Sequence, residues 1–430
     1  MNEQYSEQRQ YILTPRPNKI FSYLVVIMML GNVYLFPFFE SLDMGEIMLI
    51  VFVPYFIVNM RSFSIKREYS LIYLFISYSL LVTMIMSVLL NGNVGDPVVR
   101  MIRDFFYYFV IFFLGSHFFD MKSFKKILVL FCVFLSAFVI VQVLVYTFMG
   151  YLIPGFLMSA PLNDGGYTGA QLYSNYIRYA SIAGYLKPNG FLCEPAHCAQ
   201  CFFVAILVLL FGNHREKNDV KIALFISIGM VLTMSTSGML YLMFSWGMWC
   251  FKESKRNFIK ILVIVCCGFV LGAMTLKSGK LDSVLVVIQR FTQTLSGDNI
   301  TNSSQLRMMK GFTTFLALPL LQKIFGIGFG NYSAAIPFFN SSAEINMIDN
   351  EYMNTVSYIL VSAGIIGFII MTLFFIRLFR KKFGLGKIMI IALVIMSFGS
   401  SVYSSPIWIW MMLIILYSGS RGDETIWQTY

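Results

Sequence analysis

The feature that most constrains this chain is the recurrence of apolar runs long enough to cross a bilayer. One of them, residues 127–149, reads "ILVLFCVFLSAFVIVQVLVYTFM" and carries no charged side chain. A hydrocarbon core about 30 Å thick needs about 20 mainly apolar residues in a helix, and a helix satisfies its own backbone groups where water is absent. With 58% hydrophobic and 12% charged residues, the chain also lacks the polar surface that a soluble fold of its length requires. The expected fold class is all-α: a polytopic integral membrane helical bundle of about 12 transmembrane helices, forming one domain over residues 1–430.

Spans are expected near 20–39, 44–60, 70–90, 102–119, 127–149, 191–211, 222–236, 238–251, 259–276, 356–377, 388–405 and 407–419. The seventh, eighth and twelfth are short for full spans, which suits tilting or packing inside the bundle. The first run is too long for a signal h-region and no small-residue cleavage site follows it, so a retained anchor is expected. With the N-terminus cytoplasmic, 22 of the 32 Lys and Arg residues fall in inside segments. That is the asymmetry of the positive-inside rule, and the even span count returns the C-terminus to the same side. The net charge of +11 follows from this asymmetry and does not indicate nucleic-acid binding.

Two long outside loops remain, 150–190 and 277–355, the second being the large extracytoplasmic loop between spans 9 and 10. Neither holds any of the seven cysteines, so no disulfide framework is implied. No internal repeat is visible, which weighs against a transporter built from inverted halves.

The basic residues expected outside are Arg100, Arg103, Arg178, Lys187, Lys277, Lys280, Arg290, Arg307, Lys310 and Lys323. Cations close to the outer membrane face suit an anionic ligand, because guanidinium groups bind diphosphate oxygens in forked geometry. Taken singly, each is better explained by headgroup contact or simple solvation. Arg103 and Asp104 read as an ion pair at a helix end. Residues 304–318, "SQLRMMKGFTTFLAL", form a helix capped by Ser303 or Ser304 and closed by Pro319. Its Arg307, Lys310 and Thr314 share one face, as in a re-entrant or interfacial helix.

"KPNGFLCEPAHCAQ" (187–200) places Lys187, Glu194 and His197 at the mouth of the sixth span, where an ionisable group is costly. Glu194 precedes Pro195, and its carboxylate could accept the free N–H groups of a helix start. Cys193, His197 and Cys201 share a face but lack a fourth zinc ligand; no metal is assigned. "GIGFGNY" (326–332) has no preceding strand and is no nucleotide fingerprint; its glycines suit a tight turn outside the membrane. "MIDNEYMN" (347–354) closes the large loop and offers Asp349 and Glu351 as candidate bases.

In this order the pieces resemble a known family. "KPNGFLCEPAH" is similar to the Arg-Pro-x-Gly-Phe-x-x-Glu-Pro stretch of bacterial O-antigen and capsule polymerases. "LTMSTSG" (232–238) resembles their Leu-Thr-x-Ser-x-Ser-Gly element, and "FGIGFGNY", the Asn-rich boundary motif and "GIIGFII" (364–370) continue the match across roughly 180–370. The N-terminal third is similar in hydropathy alone. The family implied is the O-antigen polymerase and O-antigen ligase superfamily, metal-independent and cofactor-free glycosyltransferases of the bacterial plasma (inner) membrane that work on its outer face. Two departures stand out. Lys187 replaces a family arginine, and Asp349 precedes Asn350 where ligases carry a histidine, which favours a polymerase.

The resemblance implies transfer of a glycan from an undecaprenyl-diphosphate-linked oligosaccharide to a hydroxyl of the next lipid-linked repeat unit. Arg307, Lys187 and Arg178, supported by Lys310, would hold the diphosphate; Asp349, with Glu351 and Glu194 as rivals, would take the acceptor proton. The lipid bilayer, a chain-length regulator and a flippase are the implied partners. The alternatives are ligase-type transfer of finished polymer, and a flippase or transporter of the same lipid. A transporter should place charge along its mid-membrane path, and only Glu46 and Gln142 depart from otherwise apolar spans.

Overall fold

The structure, a computed structural model, describes residues 18–30, 44–60, 69–90, 95–151, 153, 187–192, 194–213, 215–253, 311–339 and 353–418. No strand occurs among them. In chain order the helices are α1 (Lys19–Ile27), α2 (Met44–Asn59), α3 (Ser70–Leu89), α4 (Gly95–Phe109), α5 (Gly115–Phe118), α6 (Met121–Met149) and α7 (Pro195–Phe211). They continue as α8 (Asp219–Leu232), α9 (Thr236–Glu253), α10 (Leu320–Phe325), α11 (Tyr332–Phe339), α12 (Thr355–Lys381), α13 (Gly384–Gly399) and α14 (Pro406–Tyr417).

Three of these are long and apolar enough to cross a membrane: α3 with 20 residues, α6 with 29 and α12 with 27. Part of α2, with α7, α13 and α14, is apolar but shorter. The expected ninth span and residues 31–39 of the first lie outside the described residues, as does most of the large loop. Among the described residues the protein is thus an all-helical bundle with three helices long and apolar enough to cross a membrane.

Two of the short helices, α7 and α14, are central. From Cys198 to Phe211 every residue of α7 is buried, and so is every residue of α14 from Ile407 to Leu416. A helix apolar on all sides needs neighbours on all sides. At 12 residues, α14 rises only about 18 Å. It need not reach both lipid surfaces, because other helices enclose it; the twelfth expected span is packed inside. Around this centre, α3 turns Leu74, Leu81, Met84, Ile85 and Val88 outward as an exposed apolar stripe.

The rod from α4 to α5 contains a π-helical turn, Val110–Leu114. The Tyr417 hydroxyl donates to the Ile111 carbonyl at 3.0 Å within it. Gly115 follows because α14 lies against it: a Cβ there would stand 2.4 Å from Leu413 Cδ2. The indole Nε1 of Trp410 donates to the Val25 carbonyl at 2.6 Å, tying the last turn of α1 to the centre.

Helix ends expected on one side of the membrane do meet. At one end Asn18 N–H donates to the Phe118 carbonyl at 2.9 Å, and Lys125 pairs with Asp219 at 2.6 Å. There too Lys382 Nζ donates to the Leu416 carbonyl at 2.5 Å. The opposite ends of α2, α4, α12 and α13 converge on a second polar cluster, described next.

Candidate functional site

The glycine motif builds the frame of the site. α12 breaks at Gly364, whose φ of 64° and ψ of −172° interrupt the helix. The carbonyls released by the break, Val361 and Ser362, accept from Ile327 N–H at 3.0 Å and Gly328 N–H at 2.9 Å. The approach is backbone to backbone, so a Cβ on Gly326 would fall 2.2 Å from the Ser362 oxygen. On the other side the strip lies along α3. Tyr78 donates to the Phe325 carbonyl at 2.8 Å, and Phe329 N–H donates to Thr83 Oγ1 at 2.9 Å. Asn331 donates to the Thr83 carbonyl at 3.2 Å and accepts from Ser87 at 3.0 Å. Residues 325–331 are thus wedged between α3 and α12, along α3 from Tyr78 to Ser87, and the expected tight turn is made by Gly326, Gly328 and Gly330, all at positive φ. Irregular backbone is tolerated inside a bundle when protein supplies its hydrogen bonds, as here.

The "KPNG" segment is held the same way. Gly190 N–H donates to Gln142 Oε1 at 2.9 Å, and Gln142 Nε2 donates back to the Gly190 carbonyl at 3.1 Å. Gln142 is therefore a structural clamp, which accounts for a polar residue in an apolar helix. Phe191 packs on Phe131, Phe134 and Phe138 of α6, and Cys198 Sγ donates to the Asn189 carbonyl at 2.6 Å. Glu194 is the N-cap of α7 and Pro195 its first residue, but the Glu194 side chain makes no capping bond. The expected carboxylate cap is thus corrected: the Glu194 backbone carbonyl accepts from His197 and Cys198 instead. "LTMSTSG" makes the α8–α9 turn, with Met234 at φ 52° and Ser235 Oγ accepting from Gly238 N–H at 3.3 Å.

The polar cluster itself centres on α4. Arg103 forks onto Glu46 of α2, Nε to Oε1 at 3.1 Å and the second nitrogen to Oε2 at 3.3 Å. Tyr107 donates to the same carboxylate at 2.5 Å. Asp104 instead faces Arg100, one turn earlier at 4.0 Å, and accepts from Ser404 Oγ. Tyr108 donates to Tyr403 at 3.2 Å, and Tyr403 donates to Asp104 Oδ2 at 3.5 Å. The expected Arg103–Asp104 pair does not form. Adjacent residues on a helix point about 100° apart and cannot face each other. Ser404 reaches Asp104 from a left-handed backbone, φ 55°, a conformation that costs a non-glycine residue free energy and clusters at functional sites.

Two sequence motifs converge on this cluster. Phe329 stacks on Tyr403, with centroids 5.4 Å apart. Asn354, the last residue of the boundary motif, caps α12 through Ser357 N–H at 2.8 Å. Thr355 Oγ1 accepts from Val402 N–H at 2.7 Å and Tyr403 N–H at 3.1 Å, and the Arg100 guanidinium lies 5.5 Å over the Tyr358 ring.

Of the residues singled out from sequence, Lys187 and Glu194 are described, the first half-buried beside the Gln142 clamp. Arg178, Arg307, Lys310, Asp349 and Glu351 lie outside the described residues, as does Cys193. Sequence reasoning missed the roles of Asp104, Tyr403 and Ser404. The available signal was the i, i+4 spacing of Arg100 and Asp104 and the polar turn "SVYSSP" (401–406) between two apolar helices. Among the described residues, no three His, Cys, Asp or Glu side chains group as a metal site would require. No protein-family model matches the chain, and no curated protein is significantly similar to it.

Proposed function

We propose that the protein is a membrane glycosyltransferase that lengthens a polysaccharide. It would transfer a glycan from a polyprenyl diphosphate to a hydroxyl of the next lipid-linked repeat unit, on the outer face of a bacterial plasma membrane. The observation that carries this reading is the convergence of the boundary and glycine motifs on a one-ended cluster of two guanidinium groups and two carboxylates in an apolar bundle. A lipid-borne substrate with a polar head at the membrane surface suits such a site, and a path for ions or solutes through the middle would not. The twelve-span topology with both termini cytoplasmic belongs to the same reading.

The chemistry asks for two things. As the glycosidic bond breaks, negative charge grows on the diphosphate, and fixed cations aimed at it lower the barrier. Arg307, Lys187 and Arg178, with Lys310 in support, are the groups proposed for that task. The acceptor hydroxyl also needs a carboxylate to orient it and take its proton; Asp349, Glu351 and Glu194 are the ones nearest the motifs in sequence.

The test is to give purified protein the lipid-diphosphate-linked repeat unit of its own host and resolve the products by size. A ladder of multimers that Arg307→Ala abolishes, with the variant still inserted, is the expected result. Lipid-linked units crossing vesicles without growing would overturn the enzyme reading.

A further inference from the structure

We infer that the acceptor hydroxyl is received in a cavity between α3 and α4, where Asp104, and none of the three carboxylates named above, takes its proton. This rests on the glycosyl-transfer reading and names the acceptor subsite within it. The cavity has a volume of about 20 Å³ and is lined by Ser79, Asp104, Phe105, Tyr108, Phe329 and Tyr403. A space of that size holds one water-sized group, which is what a single sugar hydroxyl presents.

Ser79 is the independent sign of a ligand. It is 9% exposed, and its hydroxyl has no hydrogen-bond partner among the described residues. A serine inside a helix ordinarily turns back onto a carbonyl one turn earlier, as Ser87 does to Thr83 at 2.7 Å. A buried hydroxyl left without a partner is unfavourable, and a ligand oxygen in the cavity would relieve it.

Asp104 has the capacity to complete that contact. Its Oδ1 is engaged by Ser404 and faces Arg100, while among the described residues Oδ2 receives only the 3.5 Å contact from Tyr403. An ionised carboxylate has about four acceptor sites, so Oδ2 can accept the hydroxyl proton of a sugar. The other carboxylate of the cluster has no such room: Glu46 is 1% exposed and held by two Arg103 nitrogens and Tyr107, whereas Asp104 keeps 13% of its side chain open. Arg100 already balances Asp104, so the cavity suits a neutral hydroxyl better than a cation, and the carboxylate repels an anion. Phe105 at the exposed rim offers a flat apolar face for the sugar ring that bears the hydroxyl.

The step balances without a further reagent. The acceptor oxygen forms its bond to the anomeric carbon as its proton passes to Asp104 Oδ2. The bond from that carbon to the diphosphate oxygen breaks, and its electron pair leaves on the diphosphate. Asp104 then returns the proton to solvent or to the departing diphosphate. Tyr108, Tyr403 and Ser404 are positioning residues, each orienting the next toward the carboxylate.

The experiment uses the full-length protein in lipid vesicles with two readouts. The first is elongation of the host's lipid-linked repeat unit. The second is binding of the lipid-free oligosaccharide of one repeat unit, followed by the melting shift it causes. Asp104→Asn should lower elongation at saturating acceptor by 100-fold or more, in line with the roughly 10²–10⁴-fold contribution of a general base. Ser79→Leu, which fills the cavity without touching the carboxylate, should abolish the oligosaccharide's melting shift. Leu81→Ala, on the outward face of the Ser79 helix, should keep that shift. Elongation by Asp104→Asn within about twofold of wild type, or an unchanged shift in Ser79→Leu, would overturn the subsite. Wild-type protein that binds the oligosaccharide through Ser79 but never elongates would refute the transfer reading and leave the sugar-binding cavity standing.

Discussion

Arg100 and Arg103 stand one turn apart on α4, yet Arg103 serves a carboxylate of α2 and Arg100 one of α4 itself. Arg103 holds a buried Glu46 in a forked pair. Taking the guanidinium away leaves a buried carboxylate without its forked partner, which costs about 3–5 kcal/mol when such a pair is broken. Arg103→Ala should therefore lower the detergent melting temperature sharply, and adding Glu46→Leu should restore much of the loss. A double variant no more stable than the single one would show that the pair is not what holds α2 to α4. Sequence made the cations legible and hid their partners. The i, i+4 spacing of Arg100 and Asp104 is local, but the contacts of Arg103 with Glu46 and of Asp104 with Ser404 join positions 57 and 300 apart in the chain. Gln142 was similarly visible only as an exception, because its role depends on the Gly190 peptide 48 positions away.

At the level of elements, the broken helix α12 and the strip wedged into it form one unit. Two carbonyls freed at Gly364 are satisfied by two amides of the glycine motif, so neither piece is complete alone. Gly326→Ala would push a methyl group onto the Ser362 carbonyl, at 2.2 Å, and also sits at φ 90°, where a side chain is strained. The expected outcome is loss of most folded protein, read as monodisperse yield in detergent, together with loss of elongation. Gly150, with φ 66° but nothing within 4 Å of its added Cβ, should tolerate alanine with a far smaller loss. Equal yields for the two variants would contradict the wedge. The helices themselves were legible from apolar run length, and the short twelfth span from its uniform hydrophobicity. The placement of residues 325–331 was not, since a Gly-rich stretch in a long polar loop looks the same whether it lies outside the bundle or inside it.

For the whole molecule, charge asymmetry and the grouping of helix ends agree: ends expected on one side of the membrane are the ends that meet. The sidedness proposed from the cations can be checked without substrate. In a cysteine-depleted background, Lys217→Cys should react with a membrane-impermeant maleimide only from the cytoplasmic side, and Tyr151→Cys only from outside; both positions are exposed. Labelling of both from one side would break the alternation between α6 and the α7–α8 turn. The central claim remains chemical, that the cluster at the Asp104 end serves glycosyl transfer between lipid-linked units. Its most direct test is purified protein in vesicles, supplied with the host's lipid-diphosphate-linked repeat unit and followed by gel and mass. The account predicts a ladder of multimers still attached to lipid, lost in Arg307→Ala and Asp104→Asn. Growth only after a second acceptor is supplied would make the protein a ligase, and no transfer to any acceptor would contradict the account.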